Sequence, residues 1–325
     1  MKRLSIALAI VGLIFGTLLV GWYGFGPIWT AMLSVGVWGF AWFCAWQLLT
    51  MVVLGLGWRA VAPLDDGRHV LPFIWGRMVR DSAGACLPFS TLGGFVFGVR
   101  AATLYGVNWS LAALSIVVDL TAEFLSELAF AMAGLFILLD RSGNPSLSIP
   151  IVVGLAIISL LGVAVVWLRK EATPVFVRLG RRILGNWFDR QGKEAISDRE
   201  LAELYGHTGR MALGTAIHLL GWFCKGVGNW IAFRLMGSHI DLMGALAIEA
   251  LLHVLLVPAS VVPGYAGIQE AGYAGIGALF GIPPELSLGV SLLRRARDIA
   301  LGIPILLIWQ LAEARQLRIS GSKPA

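Results

Sequence analysis

The chain has 325 residues, of which 58% are hydrophobic and 14% charged, with mean hydropathy +0.80 and a formal net charge of +6. An ordinary soluble domain needs far more polar surface, and apolar runs of about 18 residues or more recur here as transmembrane helices do. The positive sum does not indicate nucleic acid, and no nucleic-acid partner is expected; in a membrane chain the positions of Lys and Arg matter, because they set orientation.

Met1-Lys2-Arg3 leads into an apolar run over 4–21. That run is long for a signal-peptide core and no A-x-A-like site follows, so it reads as a retained first helix. Further apolar segments lie at 28–57, 70–107, 111–139, 149–168, 211–236, 242–282 and 286–311. Two of them, 70–107 and 242–282, are too long for one crossing. Each is broken by proline and glycine, in "CLPFSTLGG" (86–94) and "VPASVVPGYAG" (257–267). Proline lacks the helix donor and glycine is entropically costly. The expected tips are Pro88, Gly93 and Gly94 in the first segment, and Pro258, Pro263, Gly264 and Gly267 in the second.

The breaks are either loops between two full crossings or the tips of re-entrant hairpins. Charge arbitrates. Basic residues gather in 58–80 (Arg59, Arg68, Arg77, Arg80), throughout 169–210, and in the tail (Arg315, Arg318, Lys323). The complementary connections, 22–27, 140–148, 237–241 and 283–285, offer only Arg141 and His239. If both broken segments leave by the side they entered, every basic stretch is cytoplasmic. Six full crossings and two hairpins then result, with both termini inside. Within 169–210, Phe176, Leu179, Ile183 and Trp187 follow near-helical spacing among arginines, which suits a helix on the inner leaflet. Ser197 and Glu200 have capping-box spacing for a second short helix. An ordinary solvated linker is the plain alternative.

The broken segments resemble each other. Pro88 and Pro258, Ser90 and Ser260, Gly94 and Gly264, and Arg100 and Glu270 match at one constant offset. After a short shift, "LYGV" matches "LFGI", and Glu123 matches Asp298. The first repeat spans 28–139 and the second 211–311, within one integral membrane domain over 1–325. The hairpins enter from opposite faces, as in the inverted repeats of many transporters. Non-helical backbone at membrane depth is tolerated only inside protein or beside a water-filled cavity, so two meeting tips would make a polar place near the midplane.

Ionisable groups inside a bilayer need partners or a task. Asp119, Glu123 and Glu127 recur at i, i+4, i+8 and line one helix face. The matching helix of the second repeat carries Arg294, Arg295, Arg297 and Asp298. Helical rise puts Glu123 roughly 18 Å in from one side and Arg297 roughly 16 Å in from the other. Both fall near the centre of a hydrocarbon core about 30 Å thick. The acidic face could simply pair with these arginines, or exchange that pairing against a lipid headgroup, whose phosphate suits the guanidinium fork. Arg100 and Glu270 could mark two mouths of one cavity, or snorkel. Glu249 and His253, at i, i+4, could couple protons or share a structural hydrogen bond. Candidate headgroup-binding residues are therefore Arg294, Arg297, Arg100, Glu270, Glu123 and Asp298. No nucleophile elbow, zinc-protease or Walker motif is present, and five scattered histidines and Cys44, Cys86 and Cys224 have no metal or disulfide spacing. No catalytic residue, metal or cofactor is expected.

The stretch "VPGYAGIQEAGYAGIGALFGIPPE", continuing to "LSLGVSLLRRARDIALGIPILLIWQ", resembles the C-terminal signature of the lysylphosphatidylglycerol-synthase transmembrane-region superfamily, also called the flippase-like integral membrane family. Pro263, Gly264, Gly267, Glu270, Phe280, Gly281 and Pro283 fill its pattern of proline, glycine-rich turn, glutamate and "LFG". The "Q-E-A-G-Y" and "R-R-A-R-D" wording is most similar to a branch associated with hopanoid biosynthesis. The resemblance implies a multi-pass protein of the bacterial inner membrane that handles lipid, hopanoid or anionic phospholipid, as a flippase-like transporter. Lipid-biosynthesis enzymes are possible partners. Relatives that modify phosphatidylglycerol add a soluble aminoacyl-transferase domain, and that activity is not expected here. An intramembrane enzyme acting on lipid headgroups, with Glu270 or His253 as acid–base group, and a scaffold for biosynthetic enzymes are the alternatives.

Overall fold

The described helices end beside proline or glycine, although α8 continues through Pro304. The computed structural model describes residues 33–63, 70–87, 90–142, 207–262 and 265–321, with part of 149–164, and within them every regular element is helical. In chain order these are α1 (Gly36–Val61), α2 (Val70–Cys86), α3 (Ser90–Thr103), α4 (Trp109–Ser142), α5 (Thr208–Leu235), α6 (Leu242–Leu256), a 3-10 turn (Pro258–Val261), α7 (Ile268–Leu279) and α8 (Pro284–Gly321). A shorter apolar helix runs over Val152–Leu161. The expected helix over 4–21, nearly all of loop 169–210 with its surface helix and capping box, and Pro88, Pro263 and Gly264 lie outside the described residues.

Local chemistry sets the boundaries. Ala62 ends α1 at ψ 137°, the extended conformation that a following proline demands. Asn108 Oδ1 accepts the Ser110 N–H at 2.9 Å and opens α4. Asp241 caps α6 by accepting the Gly244 N–H at 3.3 Å. Pro284 starts α8, where its missing N–H costs nothing. Between α6 and α7, Tyr265 (φ 53°) and Gly267 (φ 77°) turn the chain.

Glycine brings the helices close. On α5, Gly214, Gly221 and Gly228 face Val61, Leu54 and Trp46 of α1, so the two helices run antiparallel. Gly57 of α1 leaves room for the His218 ring of α5; a Cβ there would lie 2.8 Å from Nε2. The same device closes the first hairpin. A Cβ on Gly94 would sit 2.7 Å from the Arg80 carbonyl, and one on Gly76 2.8 Å from the Gly98 carbonyl. α2 and α3 are therefore antiparallel and in backbone contact, the packing that small residues permit in membranes. In the second hairpin, Gly272 of α7 faces Leu252 and Leu255 of α6. α2 also packs on α1 and α8, while α4 packs on α5 and α6.

The outer surface is apolar. Trp38 is 87% exposed and Leu71 77%, with Phe136, Leu160, Ile308 and Leu311 also turned outward, while Arg77, Asp119 and Glu249 are buried. Water as solvent would reverse that distribution. α1 and Trp109–Arg141 of α4 are long and apolar enough to cross a membrane on length and composition. At about 1.5 Å per residue, none of α2, α3, α6 and α7 reaches the roughly 30 Å of a hydrocarbon core.

Candidate functional site

α4 runs unbroken from Trp109 to Ser142, and its Asp119, Glu123 and Glu127 stack on one face. The guanidiniums that meet this face come from α2. Arg77 Nη2 donates to Glu123 Oε1 at 2.7 Å, and Arg80 Nη2 to Glu123 Oε2 at 2.6 Å. Arg80 Nη1 reaches Asp119 Oδ2 at 3.1 Å, and Arg77 Nε binds Asp81 one turn along at 3.0 Å. His218 Nε2 lies 2.7 Å from Asp119 Oδ1, and both side chains are fully buried. The Phe95 ring covers the Arg80 guanidinium at 4.3 Å. A carboxylate with a guanidinium on each oxygen satisfies the rule that buried charge must be paired and hydrogen-bonded. Arg77 Nη1, also buried, has no hydrogen-bond partner among the described residues.

A second cluster forms on α8. Arg294 Nη1 donates to Glu249 Oε2 of α6 at 2.6 Å and to the Tyr273 hydroxyl of α7 at 3.0 Å. Tyr273 in turn donates to Asn229 Oδ1 of α5 at 2.9 Å. Arg295 Nη2 donates to Glu270 Oε1 at 2.7 Å, while Glu270 Oε2 accepts the Gly267 N–H at 2.8 Å. Glu270 thus fixes the start of α7 as a reaching-back third helical residue does. Arg297 pairs with its own neighbour Asp298 at 2.7 Å and lies over the Phe43 ring at 4.6 Å.

The clusters meet at His253 of α6. Its Nδ1 is 3.7 Å from Glu127 Oε1 and its Nε2 is 3.6 Å from Glu249 Oε1. Trp222 packs edge-on against it at 4.3 Å and carries Lys225 Nζ at 3.8 Å from its own ring. The two clusters are thus neighbours at His253, with Glu127 one turn from Glu123 on α4 and Glu249 held by Arg294.

The candidate residues divide accordingly. Arg294, Arg297, Asp298 and Glu270 share the α8 cluster and Glu123 belongs to the α4 cluster, but Arg100 stands apart and binds Glu313, near the end of α8, at 2.7–3.1 Å. Glu270 is 4% exposed and buried under α8; it does not sit at a mouth opposite Arg100. The expected partners of the acidic face also change. Asp119 and Glu123 pair with Arg77 and Arg80, while the α8 arginines turn to α6, α7 and Asp298. Arg77 and Arg80, read as cytoplasmic loop charges, lie two to three turns inside α2, which begins at Val70. Of the hairpin glycines, Gly94 is a backbone contact, Gly267 a positive-φ cap, and Gly93 would meet only the Phe97 ring; Pro258 opens the 3-10 turn. Tyr273, Asn229 and His218 escaped the sequence reading, although each is a polar side chain inside an apolar segment. Among the described residues no group of His, Cys, Asp and Glu could hold a metal.

A family model described as the lysylphosphatidylglycerol synthase TM region matches residues 6–305. Neither a curated protein nor a solved structure matches the chain significantly.

Proposed function

The chain belongs to the lysylphosphatidylglycerol synthase TM region family, and from that premise we propose that it moves a polar-headed lipid, a hopanoid or an anionic phospholipid, within or across the bacterial inner membrane. α1–α4 and α5–α8 repeat the order long, short, short, long, and α1 meets α5 antiparallel. Both features support two inverted repeats about an axis in the membrane plane. In that arrangement α2–α3 and α6–α7 are re-entrant hairpins beside six full crossings, in a multi-pass protein with cytoplasmic termini.

The observation that carries the reading is the two clusters of paired charges buried among apolar helices. Buried ion pairs contribute little net stability compared with apolar packing, so their presence calls for a use. Arg297 is the group best placed for exchange. Its carboxylate partner is the adjacent residue on the same helix, so a phosphate can replace Asp298 without separating two helices. Arg294 then flanks the headgroup, and Glu123, Glu270 and Asp298 balance the charge. An enzymatic role for Glu270 has weaker support, because Gly267, Ser291 and Arg295 already occupy its two oxygens. A scaffold for biosynthetic enzymes would act through 169–210.

Lipid profiling by mass spectrometry tests the proposal. Purified wild type is expected to retain one headgroup class above its membrane abundance, and Arg297→Ala to lose it. Vesicles reconstituted with that lipid should then show flipping by wild type only. Equal flipping by the variant would remove Arg297 from the site, and an unselective profile on both proteins would favour the scaffold.

A further inference from the structure

We propose that Glu127 is a proton-binding site that shares its proton with His253. Three observations carry this. First, every other carboxylate of the two clusters has a guanidinium within ion-pair distance: Asp81 and Glu123 with Arg77, Asp119 with Arg80, Glu249 with Arg294, Glu270 with Arg295, and Asp298 with Arg297. The group facing Glu127 is an imidazole. Lys225 of α5, over the Trp222 ring, offsets only part of the desolvation cost of an ionised Glu127, and taking up a proton removes that cost.

Second, the gaps around His253 differ from those elsewhere in the chain. The guanidinium pairs close at 2.6–3.1 Å, but Nδ1 and Nε2 stand 3.7 and 3.6 Å from their carboxylates, outside hydrogen-bond range. His253 Nε2 and Glu249 Oε1 face each other, buried, with no hydrogen-bond partner among the described residues. A neutral imidazole can accept at one nitrogen and donate at the other, so a proton on Glu127 makes Glu127–His253–Glu249 a donor–acceptor series once the gaps shorten.

Third, charged groups from α4, α5, α6 and α8 surround the pair. Lys225 of α5 lies over the Trp222 ring that packs against His253, and Arg294 of α8 holds the other oxygen of Glu249. On α4, Glu123 lies one turn from Glu127, and like charges so close are relieved by a proton on one of them. His218, on the far side of Asp119, is engaged in the first cluster. The site joins α4 of the first half to α6 of the second, so gain or loss of the proton acts where the two clusters meet. On the lipid-moving reading it would be the coupling site, but the proton site itself needs no lipid.

Infrared spectroscopy of the purified full chain in lipid nanodiscs, titrated across pH in D2O, tests it. Wild type is expected to show the C=O stretch of a buried protonated carboxyl at neutral pH, absent from Glu127→Gln. His253→Gln should keep the band and shift its frequency, because the hydrogen-bond acceptor changes. No protonated carboxyl at neutral pH, or a band that survives in Glu127→Gln, overturns the proposal, as does an unshifted band in His253→Gln. Circular dichroism shows whether each variant is folded, and Glu127→Ala replaces Glu127→Gln if that variant is not. A positive band with no flipping of any lipid leaves the proton site standing and defeats the transport reading alone.

Discussion

The first hairpin, α2–α3, brings Arg77 and Arg80 to carboxylates on α4, whereas the second, α6–α7, brings Glu249 and Glu270 to guanidiniums on α8. Hairpin and long helix have exchanged signs between the halves. The packing differs too. In the first hairpin glycines lie against backbone, at the carbonyls of Arg80 and Gly98, and in the second Gly272 lies against the ends of Leu252 and Leu255. Similar folding patterns thus hold complementary chemistry: each hairpin is neutralised by the long helix of its own half, while Asp119–His218, Arg100–Glu313 and the Glu127–His253–Glu249 approach join the halves.

The pairing of α2 with α4 depends most on Arg77. Its side chain is 2% exposed and serves both Asp81 and Glu123. Arg77→Ala strips one Glu123 oxygen of its guanidinium, Arg80 keeping the other, and leaves Asp81 without its partner; loss of one partner from a buried pair costs about 3–5 kcal/mol. The expected outcome is a large fall in the melting temperature of the detergent-solubilised protein. A melting temperature within error of wild type would show that α2 and α4 do not depend on this pairing.

Gly98→Ala against Gly272→Ala sharpens the packing contrast. A Cβ on Gly98 would lie 2.9 Å from the Gly76 carbonyl oxygen, which cannot move without moving α2. Overpacking of this kind costs about 1–3 kcal/mol. A Cβ on Gly272 would meet only Leu252 Cδ1 and Leu255 Cδ2, at 2.7 and 2.8 Å. Those methyls can rotate away, and the helix-propensity gain of about 1 kcal/mol offsets much of the strain. Equal melting temperatures for the two variants would mean that the hairpins are equally adaptable.

The sequence made the hairpins visible because proline and glycine act locally, and it made the acidic face visible because i, i+4, i+8 spacing needs only a helix. The partners of that face were hidden. Arg77 and Arg80 stand close to Arg59 and Arg68, so charge counting placed all four in one cytoplasmic stretch; only the start of α2 at Val70 carries the last pair inside. Nothing local distinguishes Arg77, which finds Glu123 at a separation of 46 residues, from Arg100, which finds Glu313 at 213. Periodicity says which side chains share a face, and the approach of helices far apart in the chain decides what that face meets.

A smaller effect is expected at Arg295. Its side chain is 32% exposed, and Glu270 keeps the Gly267 N–H when the guanidinium is gone. Arg295→Ala should therefore cost about 1.5–3 kcal/mol, the range for a hydrogen bond to a charged group. The same melting measurement ranks it below Arg77→Ala; a loss as large as that of Arg77→Ala would make the two clusters energetic equals.

The smallest effect belongs to the exposed link between the halves, Arg141 of α4 with Asp241 at the start of α6. Arg141 Nη1 and Nη2 donate to the two carboxylate oxygens at 2.7 and 2.6 Å, yet the side chains are 38% and 54% exposed. Solvent screening limits such a pair to about 0–1 kcal/mol. The guanidinium hydrogen bond holds the Asp241 carboxyl below its ordinary value, with the Gly244 N–H adding in the same direction. For a lowered carboxyl the sign is fixed: the contribution is complete above the ordinary Asp value of about 3.9 and fades as pH falls through the lower folded value. Arg141→Ala should lower stability slightly at neutral pH and converge on wild type in strong acid. A difference that persists unchanged in acid would trace to helix packing at the end of α4 and not to the ion pair.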